Sequence, residues 1–263
     1  MNLGMTIAVW APAVALWCAA GPAWPQANVE GSNIRIEFDA NLHSRVLAKF
    51  GGKQITLSAF SPSETVTAGG NEVQDFKYSG RKTANVRDKL GAGRRVTITG
   101  TAPGLQKSVA VTVYNDFPQM AFFEVSYTNT GQAELAVSGW VNNRYSVTPG
   151  SDTDPAFWSY QSGSYSNRPT WIVPVKVGFK QENYMGMNST DYGGGTPVSD
   201  VWRRDAGLAV GHVEMVPKLV SLPVTMPDAQ AAIVAVTYMK DQPLKSKATL
   251  KTFRTFVAVH PGD

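Results

Sequence analysis

Apolar and polar residues alternate with a period of two along most of this chain. In "NIRIEFD", Ile34, Ile36 and Phe38 fall on one side and Asn33, Arg35 and Glu37 on the other. "RRVTITG" sets Val96 and Ile98 on one face, and "KSVAVTVYND" does the same with Val109, Val111 and Val113. "MAFFEVSYTNT", "ELAVSGWVNNRYSV", "DAGLAVGHVEM", "KLVSLPV", "AAIVAVTYM" and "TLKTFRTFVAV" continue the style. Successive side chains of a strand point to opposite faces, so these runs predict strands with one buried face. Gly, Asn, Asp and Pro punctuate them in "FGGK", "TAGGN", "NTGQ" and "TAPG". No stretch of ten or more residues carries a clean helical stripe. A run of about fifteen strands without helices predicts an all-β fold, a large antiparallel β-sandwich. With no internal repeat and no low-complexity linker, residues 28–263 read as a single domain.

The amino terminus departs from this rhythm. The 24 Lys and Arg and the 20 Asp and Glu all follow residue 27, and Ile7 to Ala20 is an almost unbroken apolar run. Small residues follow at Ala23 and Ala27. Residues 1–27 therefore read as a cleaved secretory signal peptide, which places the protein outside the cytoplasm, secreted or periplasmic. A membrane anchor is disfavoured by the shortness of the run and by Pro12. A lipoprotein is disfavoured by the bulky Trp17 before Cys18. Cys18 is the only cysteine, so a chain lacking the leader has no disulfide, thiol nucleophile or cysteine-bound metal. About 236 residues then fold on packing alone, enough for a sizeable core.

Charge narrows the partners. Charged residues make up 17% of the chain, against roughly 25% in soluble domains. The net charge is a mild +4. Its densest cluster, Arg81, Lys82, Arg87, Lys89, Arg94 and Arg95, flanks hairpin-like turns. A solvated strand face accounts for it better than nucleic-acid binding.

From about Phe157 to Asp205 the alternation fails. The segment is rich in Gly, Asn and Pro and carries Trp158, Tyr160, Tyr165, Trp171, Tyr184, Tyr192 and Trp202. Three consecutive glycines in "DYGGGTP" stand between Asp191-Tyr192 and a strand-like run from Val198 to Trp202. Each glycine loses more backbone freedom on folding than any other residue, so such a loop implies a sharp turn or a close approach. Aromatic rings beside amides and carboxylates suit sugars, whose apolar C–H faces stack while hydroxyls meet the polar groups. The same rings would equally serve as a satellite core beneath a long loop.

"FWSYQSGSYSNRPTWIVPVKVGFKQENYMGMNSTDYGGGTPVSDVWRRDAGLAVGHVE" resembles the amino-terminal domain of glycoside hydrolase family 36, the α-galactosidase (melibiase) family. The likeness is strongest from Ala156 to Leu222 and diffuse from Asn33 to Thr148. It implies a β-supersandwich of the galactose-mutarotase-like kind that packs on a catalytic TIM barrel and helps wall the sugar pocket. The implied substrate is a terminal α-galactoside, and no cofactor is implied. The implied substrate-side residues are Asp191, Tyr192, Trp202, Arg203, Trp158 and Trp171. Within that picture Asp191 accepts hydrogen bonds from hydroxyls, Tyr192 or Trp202 supplies a stacking face, and Arg203 and Arg204 pair with barrel carboxylates or with Asp205. The family's two catalytic aspartates lie on the barrel, and no position here matches their motifs, so no catalytic residue is expected in this chain. The sequence reads as a fragment ending before the barrel. An aromatic face awaiting a barrel is also expected to make the isolated domain self-associate. A stand-alone carbohydrate-binding module is the alternative reading.

Other chemistries find no support. There is no G-x-S-x-G and no H-E-x-x-H, and His43, His212 and His260 are far apart. Asp152 and Asp154 in "GSDTDP" lack the later glycine and glutamate of a calcium loop, so no metal is expected.

Overall fold

A computed structural model describes residues 25–150, 154–160, 171–185, 197–215 and 219–262. The leader expected at the amino terminus lies outside these residues up to position 24. So do Tyr165, Asp191, Tyr192 and the triple glycine.

The strands of the first half are β1 (Ala27–Glu30), β2 (Ile34–Phe38), β3 (Ser44–Phe50), β4 (Lys53–Thr56), β5 (Thr65–Ala68), β6 (Asn71–Val73), β7 (Lys77–Asp88) and β8 (Gly91–Ala102). Then come β9 (Leu105–Tyr114), β10 (Met120–Asn129), β11 (Leu135–Val147), β12 (Phe157–Tyr160), β13 (Ile172–Val175), β14 (Phe179–Gln181) and β15 (Tyr184–Met185). The last are β16 (Val198–Trp202), β17 (Ala206–His212), β18 (Val220–Ser221), β19 (Val224–Asp228), β20 (Ala231–Leu244), β21 (Thr249–Lys251) and β22 (Thr255–Pro261). The described residues contain no helix, and every strand pairing among them is antiparallel. The all-β expectation holds, with more and shorter strands than the alternation alone suggests.

The strands form three sheets. The largest has ten strands and runs β13-β12-β16-β17-β22-β10-β9-β8-β7, with β21 also on β10. A second, of eight strands, runs β14-β19-β20-β11-β5-β6, with β18 and β15 continuing from β20. Strands β1 to β4 form the third, in chain order. The small sheet touches β8, β9, β10 and β22 of the large one, and the eight-stranded sheet touches β16, β17 and β22. Both therefore cover one face of the large sheet. Bridges Ser44 to Ser61 and Ser58 to Val147 tie the segment after β4 to the small and eight-stranded sheets.

Alternation explains the core. Ile34, Ile36, Phe38, Ile98, Val109 and Val111 are completely buried, as the period-two runs require. They join Phe123, Phe157, Val201, Leu208, Val210, Val234 and Val257 in one hydrophobic cluster between the layers.

This core encloses charge. Tyr127 of β10 and Lys107 of β9 are direct cross-strand partners, and both are fully buried. The Lys107 ammonium lies 4.6 Å from the centre of the Phe76 ring and donates to the Glu64 carbonyl at 2.9 Å. Glu64, also fully buried, accepts no well-aligned hydrogen bond at its carboxyl oxygens. Burial pushes the Glu64 carboxyl up to about 7, against the opposing pull of Lys107 and, more weakly, of the nearby Asn143 amide. Burial brings Lys107 down to about 8, against the pull of Glu64. A bulge in β11 between Asn142 and Tyr145 carries Asn143 at φ 51° and turns Tyr145 inward. The Tyr145 hydroxyl there lies 3.1 Å from Ser44 Oγ.

Candidate functional site

The aromatic segment builds the β13–β12–β16–β17–β22 end of the large sheet. Phe157 and Ser159 of β12 and Ser199 and Val201 of β16 face the core and are fully buried. By alternation, Trp158, Tyr160, Asp200 and Trp202 stand on the opposite, outer face, and each is half-buried.

Register lines these residues up. Trp158 is opposite Trp202, and Tyr160 is opposite Asp200. On the other side of Trp202 come Gly207 and then His260, while Asp200 is followed by Ala209 and Ala258. On the far side of β12, Pro174 is opposite Trp158 and Ile172 is opposite Tyr160. The result is a row Pro174–Trp158–Trp202–Gly207–His260 beside a row Ile172–Tyr160–Asp200–Ala209–Ala258. Trp171, just before β13, is 39% exposed and Ile172 is 53% exposed.

Gly207 makes the first row possible. A Cβ there would stand 2.1 Å from His260 Nε2 and 2.6 Å from Trp202 Cβ. Without it, the two side chains lean across the strand, with ring centres 6.4 Å apart in an edge-to-face arrangement. Gly211, two turns of the pleat further on, leaves the same kind of space for Phe256, whose Cζ would be 2.5 Å from an added Cβ.

The polar group on this face is a pair that the sequence did not single out. His260 Nε2 lies 3.0 Å from one Asp200 carboxylate oxygen and 3.2 Å from the other. Its Nδ1 lies 2.6 Å from the Pro261 carbonyl. Both ring nitrogens thus face acceptors, which favours the doubly protonated imidazolium. The Asp200 hydrogen bond accordingly holds the His260 pKa above its ordinary value, with partial burial opposing it.

Arg203 lies differently. It is 6% exposed, and its Nε donates to Asp205 Oδ1 at 2.7 Å. Its other nitrogens donate to the Thr148 carbonyl and, at 3.4 Å, to the Thr56 carbonyl. Of the two partners expected for it, a barrel carboxylate or Asp205, Asp205 is the one it holds here. The side chain clamps the β16–β17 turn to the ends of β4 and β11.

Among the described residues, no group of three or more His, Cys, Asp or Glu side chains is arranged to hold a metal. The face offers a broad aromatic platform with one charged pair. Such a surface can stack on sugar rings or dock on another apolar surface.

No protein-family model matches the chain. It is 25% identical over 248 residues to the A type blood alpha-D-galactosamine galactosaminidase of Flavonifractor plautii, a match spanning 89% of this chain and 22% of that protein. Its fold superposes on the α-galactosidase of Lactobacillus brevis with a TM-score of 0.64 at 10% identity, over 90% of this chain and 39% of that one. It superposes on the family 36 α-galactosidase AgaA of Geobacillus stearothermophilus with a TM-score of 0.58 at 13% identity, over 90% of this chain and 40% of that one. The fold is that of the glycoside hydrolase family 36 β-supersandwich.

The chain spans less than half the length of each of these proteins. Within the supersandwich, the structure brings together Trp158 and Trp202 of the residues expected to face sugar. Trp171 stands just before β13, outside these paired rows, and Arg203 is turned inward. Asp191 and Tyr192 lie outside the described residues. The Asp200–His260 pair was hidden in the sequence by a separation of 60 residues. Gly207 of "DAGLAVGHV", whose missing Cβ makes room for His260, was its only trace.

Proposed function

We propose that this chain is the non-catalytic sandwich of a secreted α-galactosidase-like glycoside hydrolase that cleaves terminal α-galactosides. The observation that carries the reading is fold agreement over 90% of the chain with α-galactosidases, together with sequence identity to a galactosaminidase. The outer aromatic face around Trp158, Trp202 and Ile172 is the surface that packs on the catalytic TIM barrel. Trp158, Trp171 and Trp202, with Asp191 and Tyr192 of the glycine loop, border the sugar pocket. Arg203 supports that border by fixing the turn that follows Trp202.

Retaining glycoside hydrolysis needs two carboxyl groups about 5–5.5 Å apart, one as acid and one as nucleophile. On this reading the barrel supplies both, and the sandwich contributes binding and exclusion of water. Mixing the chain with a separately expressed family 36 barrel tests the docking. Sedimentation should show a complex that Trp158→Asp and Trp202→Asp each weaken at least ten-fold. A chain that ignores the barrel yet retains α-galactosides on an affinity column would instead be a stand-alone binding module.

A further inference from the structure

At the opposite edge of the large sheet, and on its other face, a cleft of about 720 Å³ opens between the β7–β8 hairpin and the turn joining β1 to β2. Glu30 and Ser32 line it from the turn, and Asn85, Arg87, Arg94 and Asn115 line it from the sheet. Register explains why these side chains converge. Asn85 is opposite Arg94, and Arg94 is opposite Val113, which is buried on the core side. Arg87 is opposite Ala92, whose carbonyl accepts from the Asn115 amide at 2.9 Å. The core face of the hairpin thus continues beyond the small sheet that covers it, and there its residues change from Val and Ile to Arg and Asn.

The charges in this cleft are uncommitted. Arg95, one residue along and on the other face, pairs with Glu124 and donates to Thr112 at 2.8 Å. Arg35, Arg45, Arg144, Arg203 and Arg254 are likewise paired with carboxylates. Among the described residues, neither Arg87 nor Arg94 has an ion pair or a side-chain hydrogen bond, and neither do the side chains of Asn85, Asn115 and Ser32. The one carboxylate in the cleft, Glu30, is engaged by Lys49. Two guanidinium groups therefore face an open volume with no counter-charge of their own. Such a concave positive surface attracts an anion.

We infer that the cleft binds an acidic sugar, a uronate or a sulfated hexose, with Arg87 and Arg94 on the acid group. Guanidinium forks match the planar pair of oxygens of a carboxylate and two of the oxygens of a sulfate. The two amides and the Ser32 hydroxyl, which line the same cleft, supply both donors and acceptors for ring hydroxyls. The volume falls within the roughly 300–1,000 Å³ of small-ligand pockets. The anion rests on the cleft alone, whereas the choice of a saccharide to carry it rests on the glycoside hydrolase reading above.

Titration calorimetry of the full chain with digalacturonate, galactose 6-sulfate, galactose and sodium sulfate tests this. At least one acidic sugar should bind ten-fold or more tightly than galactose and than sodium sulfate. The two acidic ligands then tell which acid group the cleft takes. The Arg87→Gln/Arg94→Gln variant should lose that binding at least ten-fold while keeping its circular dichroism and melting temperature. Arg81→Gln, outside the cleft, should leave it unchanged. Binding that ignores the double substitution, galactose binding as tight as the acidic sugars, or no binding of either acidic sugar would overturn the inference. Sodium sulfate binding as tightly as galactose 6-sulfate would remove the saccharide. Because the assay reads Arg-dependent anion binding, its failure is separate from any failure of α-galactosidase activity.

Discussion

Trp158 stands directly opposite Trp202 across the β12–β16 pair, on the outer face of the ten-stranded sheet. Both are half-buried. Directly opposed aromatic pairs contribute roughly 0.2–1 kcal/mol relative to alanine pairs. A double-mutant cycle with Trp158→Ala and Trp202→Ala, read by urea unfolding, should return a coupling of about that size. Each single variant should keep the all-β circular dichroism spectrum, because Val201 and Ser159 hold these strands to the core from the other face. A zero coupling would mean that the rings share an edge without touching.

Gly207→Ala should be costly although it adds only one methyl group to this buried position. The added Cβ meets His260 Nε2 at 2.1 Å and Trp202 Cβ at 2.6 Å. Overpacking of this kind costs about 1–3 kcal/mol. The loss is expected in chemical denaturation, with a shift in the Trp202 emission as its ring is displaced. A neutral substitution would show that His260 swings away freely.

The buried Glu64 and Lys107 set a pH dependence. The unfolded chain releases the Glu64 proton near 4.5, whereas the folded chain holds it to about 7. Between those values the unfolded state binds fewer protons, so stability falls as pH rises through this window. Lys107 acts with the opposite sign. Its proton leaves the folded chain near 8 and the unfolded chain near 10.5, so stability recovers across that range. Melting temperature should decline from pH 4.5 to 7, and Glu64→Gln should abolish the decline. A wild-type curve that rises over that window would contradict the burial of a protonated Glu64.

How much of this was legible depended on the range of each interaction. Val198 to Trp202 was readable as a strand because its alternation is local, and β16 occupies those residues. Strand β7 carries no such signal, since most of its side chains on both faces are exposed and no burial pattern constrains them. Trp158 and Trp202 were both visible as aromatic residues, but their juxtaposition depends on how β12 pairs with β16 across 43 intervening positions. Lys107 reads as an ordinary exposed lysine until Glu64, 43 residues away, is placed beneath it. The inward turn of Arg203 was equally hidden, because Thr56 ends β4 of the small sheet and Thr148 follows β11 of the eight-stranded one.

Strand β1 begins at Ala27, which is 2% exposed and pairs with Phe38. Signal cleavage after Ala27 would remove the first residue of that strand and would place Pro25, rather than a small residue, third before the cut. Cleavage after Ala23 puts the small Gly21 at the corresponding position and leaves β1 whole. If the leader directs export as we propose, intact-mass analysis of the processed protein should show a chain starting at Trp24. A start at Asn28 would mean that β1 tolerates losing its first pair.

The central claim is that this sandwich serves a glycoside hydrolase without carrying the chemistry. Steady-state hydrolysis of an aryl α-galactoside tests it most directly, comparing the chain alone with a longer polypeptide in which a family 36 barrel adjoins it. The chain alone should not exceed the buffer rate, the longer polypeptide should turn over, and Asp191→Ala in the latter should raise KM or lower kcat without unfolding it. Turnover by the purified chain itself, or none by the barrel-bearing polypeptide, would contradict the account.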